Sequence, residues 1–253
     1  MRVARLASAV LPPLVWGVAF VAAWEALVRG FDLKPYFLPA PTAIWSAFTD
    51  NLGLVRAAAF VSGGNALVGL LLGIALGVAA SFALMRSNLL NELVSPLAIA
   101  LNAIPIIVLV AVFQNMFTST SEVPRRLMVM LIVFFIVLVN VAKGLRQVSP
   151  IHLELMRSYA ATPRSVLVKT RIPNAVPYLF TAVITAFVSE YFGGRQNGLG
   201  YFIPSNFANS KNAVAWAYVI GACLLGLTFY LVSVLLENIT SHRRGRAPGG
   251  ATT

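Results

Sequence analysis

Side chains able to make or break covalent bonds are scarce in this chain. Of its 253 residues, eight are Asp or Glu, two are His and one is Cys. Glu25 and Glu190 stand at no acid–base spacing, His152 and His242 are far apart, and Cys223 lies inside an apolar run. These residues offer neither a disulfide framework nor a metal cluster of thiolates or histidines. No phosphate-binding loop of the GxxxxGK[ST] kind occurs either. The chain is therefore expected not to be an enzyme and to hold no ATPase site. If it drives transport, energy must arrive through a partner or an ion gradient.

The polar side chains that remain sit within long apolar stretches: Asn65, Asn102, Gln114, Asn115 and Asn140, with Glu190 at the end of another. Polar groups at membrane depth are costly, and they face a bundle interior or a wet cavity. Each has two readings, a hydrogen bond between helices or a place on a translocation path. Asn102 stands near a helix break at Pro105, and irregular backbone is tolerated there only inside protein or beside a cavity. Glu25 is expected near the headgroups.

The elements that must position these groups follow from composition. Hydrophobic residues make up 58% and charged residues 11%, against roughly 45–50% and about 25% in soluble domains. A net charge of +11 could signal nucleic acid, but that would need a basic face on a soluble module. Here Lys and Arg lie between apolar runs, which excludes nucleic acid as a partner and points to the lipid membrane. A crossing helix needs about 20 mostly apolar residues. Runs near that length extend over Val10 to Val28, Ala57 to Met85, Leu93 to Phe117, Leu127 to Ala142, Ala175 to Ser189 and Ala213 to Leu236. The solid runs exclude a β-barrel, whose strands would alternate. The expected fold is all-α, a polytopic membrane protein of about six transmembrane helices forming one domain over residues 1–240. The first run follows Arg2 and Arg5 and imitates a secretory signal, but lacks a convincing small-residue cleavage site and is expected to be retained. Residues 241–253 are basic, then rich in Pro and Gly, and are expected to be disordered.

Twelve of the nineteen Lys and Arg fall in segments that would share a side with the N-terminus. The bias places both termini in the cytoplasm, and half of those twelve come from the loop between Lys143 and Arg171. Arg126 and Lys143, which bound the short fourth run, are expected to snorkel outward. In the second run Gly69, Gly73 and Gly77 recur every fourth residue, extended by Asn65 and Ser81. That face lets another helix approach closely, either within one subunit or at a boundary or moving seam.

The basic loop carries a short helix. Ser149-Pro150 has the form of a helix start, Leu153, Met156, Tyr159 and Ala160 share a side at helical spacing, and Thr162-Pro163 ends it. A second piece, Arg164 to Arg171, precedes Ile172-Pro173 at the start of the fifth span. Such a helix can lie on the lipid surface or dock into a partner's groove.

This segment resembles the cytoplasmic EAA loop of permeases in binding-protein-dependent ABC importers. Its pattern is EAA, three residues, Gly, nine residues, then I-x-L-P. Glu154 falls on the Glu, Ala160 on the Gly and Ile172-Pro173 on the Leu-Pro, without a gap. Leu155-Met156 replaces Ala-Ala and Thr170 replaces the Ile. With Ala at 160, docking survives provided the turn does not require positive φ. Further segments are similar to the nitrate/sulfonate/taurine branch: Phe37 to Ile44 to its LPSP segment, Asn102 to Val110 to its third span, and Glu190 to Ile203 to the stretch after its fifth. The polar stretch Thr118 to Arg126 is longer and more charged than in that branch.

The resemblance implies two permeases, the second a copy or a paralogue, each with a cytoplasmic ABC ATPase, in a bacterial-type inner membrane. A soluble binding protein delivers substrate from outside. ATP and magnesium are held by the ATPase, and this chain needs no cofactor or metal. The coupling residues would be Glu154, Leu155, Met156, Tyr159, Ala160, Ala161, Thr162, Pro163 and Pro173. The path would draw on Asn65, Asn102, Gln114, Asn140 and Glu190. The competing class is a secondary transporter without an ATPase; no internal repeat or mid-span charge supports it. No Lys or Arg waits at mid-span for an anion, which leans the substrate toward a neutral or zwitterionic organic solute.

Overall fold

Proline marks the start of helix after helix in this chain. Pro41, Pro124, Pro150 and Pro163 each occupy the first turn of a helical segment, where an N–H would have no intrahelical acceptor. The computed structural model describes residues 2–87, 92, 96, 106–117, 121–179 and 197–242. In chain order the helices are α1 (Arg2–Gly30), α2 (Pro41–Asp50), α3 (Leu52–Arg86), α4 (Ile106–Met116), α5 (Val123–Arg146) and α6 (Pro150–Ser158). A helical arm over residues 163–179 follows: α7 (Pro163–Val166), a π-helical turn (Leu167–Arg171), α8 (Ile172–Ala175) and a 3-10 turn (Val176–Leu179). The short α9 (Leu199–Ala208) and the long α10 (Asn212–His242) complete the order. No strand occurs among the described residues.

Four segments are long and apolar enough to cross a membrane: Leu11–Gly30, Leu52–Arg86, Val123–Arg146 and Asn212–Ile239. Their outward faces remain apolar, as Leu14, Trp16 and Phe20 on α1 and Leu227, Leu231 and Leu235 on α10 show. Hydrocarbon, not water, suits such a surface. Of the expected third span α4 covers the second half, while most of its first half, most of the expected fifth span and the expected tail beyond His242 lie outside the described residues.

Helix pairing reveals the path of the chain. Gly69, Gly73 and Gly77 of α3 lie against Val129, Val133 and Val137 of α5, so these two helices run parallel. Gly221 of α10 meets Val55 of α3, and Leu225 meets Gly63, so α10 runs parallel to them too. Trp24 of α1 packs edge-on against Trp216 near the start of α10, so α1 ends where the other three begin. We call that end proximal; Arg86, Arg146 and α6 lie at the distal end. Because α3 and α5 are parallel, they are not the two arms of a helical hairpin, and α4 lies between them in chain order. The arm packs on the distal end of α5, through Ala175 beside Val141 and Leu145. Leu199 then donates its N–H to Ser62 Oγ at 2.9 Å at the proximal end.

The α3–α5 seam forms the densest apolar core, with Leu70, Val129, Val133, Val137, Val141 and Leu145 buried. The glycines sit in the hollow of this seam, which places their face inside one subunit. Ser81 extends the line, donating to Gly77 O at 2.7 Å and Leu138 O at 3.1 Å. A second core at the proximal end joins α2, α3, α9 and α10 through Phe48, Val55, Leu199, Ile203 and Tyr218. There α2 is held by Glu25 of α1, whose carboxylate accepts from the Thr42 N–H (3.1 Å), the Thr42 hydroxyl (2.9 Å) and Arg29 Nε (2.6 Å). A carboxylate from another helix thus caps the orphan donors at the start of α2. Headgroup proximity alone had not suggested that role for Glu25.

Candidate functional site

At the distal end, α6 projects from the bundle. None of its residues is buried. Leu153 and Met156 are half-buried toward the chain, whereas Ile151, Leu155 and Tyr159 stand outward at 73%, 50% and 74% exposure. Spaced four residues apart, those three form one apolar stripe. Tyr159 therefore belongs to the outward face, not to the side it was expected to share with Leu153 and Met156. Glu154 is exposed beside the stripe.

The end of α6 is a Schellman turn. Ala160 N–H donates to Arg157 O at 2.9 Å and Ala161 N–H donates to Met156 O at 3.0 Å, the paired bonds that satisfy a helix's last carbonyls. The turn requires a left-handed residue, and Ala160 has φ 49°. The condition set by the sequence, that this turn be free of positive φ, is not met. Alanine there bears a strain of roughly 1–2 kcal/mol. Ala160→Gly is thus expected to firm the turn by about 1 kcal/mol, slowing hydrogen exchange at Ala160 and Ala161 about fivefold. Equal exchange in both proteins would mean that the alanine turn carries no strain.

Thr162 then opens the arm, its Oγ1 accepting from Ser165 N–H at 3.3 Å with Pro163 next in line. Within the arm, Pro173 sits in a continuous helical path instead of at a break. It has no N–H to donate and its ring crowds the carbonyl four residues back. The wider π turn at Leu167–Arg171, closed by Ile172 N–H to Leu167 O, makes room for it. From the last residue of this turn onward the arm is fixed to the bundle. Asn174 Nδ2 donates to Gly144 O at 2.7 Å and Gln147 O at 3.3 Å, and Arg171 Nη1 donates to Leu145 O at 3.2 Å. Arg146 Nη2 in turn donates to Leu84 O at 2.6 Å. These donors meet the last carbonyls of α5 and α3, which have no intrahelical partners.

The candidate path residues are not gathered into one lumen among the described residues. Asn65 is 3% exposed and both halves of its amide are engaged. It donates to Glu122 Oε2 and accepts from Arg126 Nε at 2.9 Å. That is an interhelical tie between α3 and the start of α5. Asn140 Nδ2 donates to Ile136 O of its own helix at 2.8 Å, and Gln114 is half-buried on α4. Asn102 and Glu190 lie outside the described residues. The tie also revises the arginines. Arg126 turns to Asn65 instead of snorkelling, and Arg125, 2% exposed, lies 3.1 Å from Glu122 Oε2. The sequence had marked the polar stretch Thr118 to Arg126 as unusual, without showing that Arg125 and Arg126 turn inward.

Among the described residues the chain is an all-helical membrane bundle with parallel crossings, a glycine seam and an exposed amphipathic helix at its distal end. A model of the family described as binding-protein-dependent transport system inner membrane component matches residues 69–245, and the chain belongs to that family. It is the permease subunit of a binding-protein-dependent ABC importer, a multi-pass inner-membrane protein. The chain is 28% identical to the formylaminopyrimidine transport permease protein ThiX of Halalkalibacterium halodurans, over 90% of this chain and 94% of that one. It is 23% identical to the bicarbonate transport system permease protein CmpB of Synechocystis, over 77% and 75% of the two. Its fold is similar to that of the MetNI methionine ABC transporter in an inward-facing conformation, with a TM-score of 0.56 at 20% identity. The match covers 73% of this chain and 96% of that one. Family membership sets aside the secondary-transporter alternative.

Proposed function

We propose that α6 is the coupling helix of this permease, seated in a groove of a cytoplasmic ATPase subunit that binds ATP and magnesium in its place. The observation that carries this reading is the outward stripe of Ile151, Leu155 and Tyr159 on a helix that buries none of its own residues. An apolar stripe at four-residue spacing is what a helix-in-groove partner reads. The distal end, with α6 and both termini, faces the cytoplasm in this reading, supported by its share of Lys and Arg. The proximal end then receives solute from an extracytoplasmic binding protein, and a second permease, copy or paralogue, completes the path. Gln114, Asn140, Asn102 and Glu190 are the proposed polar positions on it. The substrate proposed is a small organic solute, in keeping with the formylaminopyrimidine named for one relative and with spans free of mid-depth Lys or Arg.

Purification of the tagged chain in mild detergent, expressed with its neighbouring genes, tests the assembly. A stoichiometric P-loop ATPase in the eluate is the expected result, and a second permease beside it would define a heterodimer. Elution of the chain alone under several gentle conditions would refute α6 as a coupling helix.

A further inference from the structure

We propose that Arg146, Arg171 and Asn174 are positioning residues that lock the arm, α5 and α3 into one lever driven by α6. The inference rests on the coupling role proposed for α6 and adds where its displacement enters the bundle.

All three side chains do the same kind of work. Asn174 and Arg171 place donors on Gly144 O, Leu145 O and Gln147 O at the end of α5. Arg146, on that last turn of α5, places its own donor on Leu84 O at the end of α3. Each bond joins a side chain to a carbonyl that the helix itself cannot satisfy, and two of the donors are cations at the negative end of a helix dipole. Severing one leaves a half-buried carbonyl unpaired, so these joints resist opening. Beneath them Ala175, Ile172 and Leu179 pack on Val141 and Leu145.

The remainder of the lever is already rigid. Three glycines on α3 are filled by three valines of α5, so the helices cannot slide past each other by part of a turn. At the proximal end the Asn65 amide ties α3 to Glu122 and Arg126. Fixed at both ends and along the middle, α3 and α5 must move together. As seen from α6, Arg171 is the last residue of the π turn and Asn174 lies beyond it. They determine whether a displacement of α6 turns the helix pair or is spent flexing the arm.

The test uses the whole complex with its ATPase subunit in nanodiscs. Spin labels are placed at Arg157→Cys on α6 and Ala83→Cys on α3, both exposed positions, in a Cys223→Ser background. Unlabelled subunits are added in excess so that only pairs within one chain are read. With native anchors, the label separation is expected to stay the same with and without ATP and vanadate. With Asn174→Asp, which turns the donor into an acceptor facing carbonyls, ATP and vanadate should add a second separation, while ATP hydrolysis assayed without vanadate continues. Arg171→Ala should do likewise, and Arg171→Lys, which keeps the charge, should restore most of the single separation. An unchanged separation in both Asn174→Asp and Arg171→Ala overturns the lever. So does a separation that shifts with nucleotide when the anchors are native. If the ATPase fails to remain with the native chain, the coupling reading itself falls, and the lever with it.

Discussion

Gly73→Ala is expected to lower the stability of the purified permease by about 1–3 kcal/mol, and Gly73→Leu to prevent its accumulation in folded form. A methyl group at position 73 would sit 2.7 Å from Val133 Cβ and Cγ1 and 2.8 Å from Met130 O. All three distances are too short for carbon, so α3 and α5 would have to part. Gly69 and Gly77 face the same obstruction, with nearest distances of 2.5 and 2.8 Å. The control lies on the same helix: nothing stands within 4 Å of a methyl group at Gly64. Gly64→Ala should be neutral, or stabilising by roughly 0.5–1 kcal/mol through reduced chain entropy. Trimming the partner should rescue only in part, because Val133→Ala removes Cγ1 but leaves Cβ and the backbone oxygen of Met130. Melting curves in detergent, with Gly64→Ala beside Gly73→Ala and Gly73→Ala/Val133→Ala, decide the matter. Equal melting of the two single variants would mean that the seam has room the structure does not show.

Leu155→Asp is expected to abolish stable association with the ATPase subunit while the permease remains folded in the membrane. Leu155 is central in the exposed stripe between Ile151 and Tyr159, and contacts at the centre of an interface dominate its energy, at about 2–4 kcal/mol each. The expected loss in affinity is therefore about 30-fold or more. Because Leu155 is half exposed and belongs to no buried apolar cluster of its own chain, the melting temperature should change little. Titrating the ATPase subunit onto nanodiscs holding each variant separates docking from folding. If the ATPase binds the variant as tightly as the parent, the stripe serves the lipid surface instead, the alternative that its amphipathic pattern leaves open.

The sequence carried the positions of the long helices well, because twenty apolar residues in a row have few other fates. It was weaker at their ends. The fourth run, read as Leu127 to Ala142, is the core of a helix from Val123 to Arg146. Four basic residues belong to that helix, since Arg125 turns inward to Glu122 and Arg146 reaches the carbonyl of Leu84. Hydropathy penalises such residues wherever they lie and cannot detect a partner 62 residues away. The glycine face was visible as a spacing, but its partner was not, because the fit depends on which valines of α5 fall opposite. At α6 the motif fixed the location of the turn. The left-handed conformation of Ala160 emerged only from the backbone, since Ala in place of Gly hides the signal that glycine would give. The anchors Arg171 and Asn174 were unmarked, their acceptors being backbone oxygens with no sequence signature of their own.

The parallel pairing of α3 with α5 also bears on how the protein is made. Two helices joined by a tight turn can settle against each other as soon as the second leaves the ribosome, but only if they run in opposite directions. Here Gly69 of α3 must wait for Val129, about sixty residues further along. At ~5–20 residues per second of synthesis that is a delay of several seconds. Through that interval a strip of bare helix backbone in the membrane lacks its partner. The nascent chain would then depend on the insertion machinery to keep α3 from pairing with whatever small-faced helix arrives first.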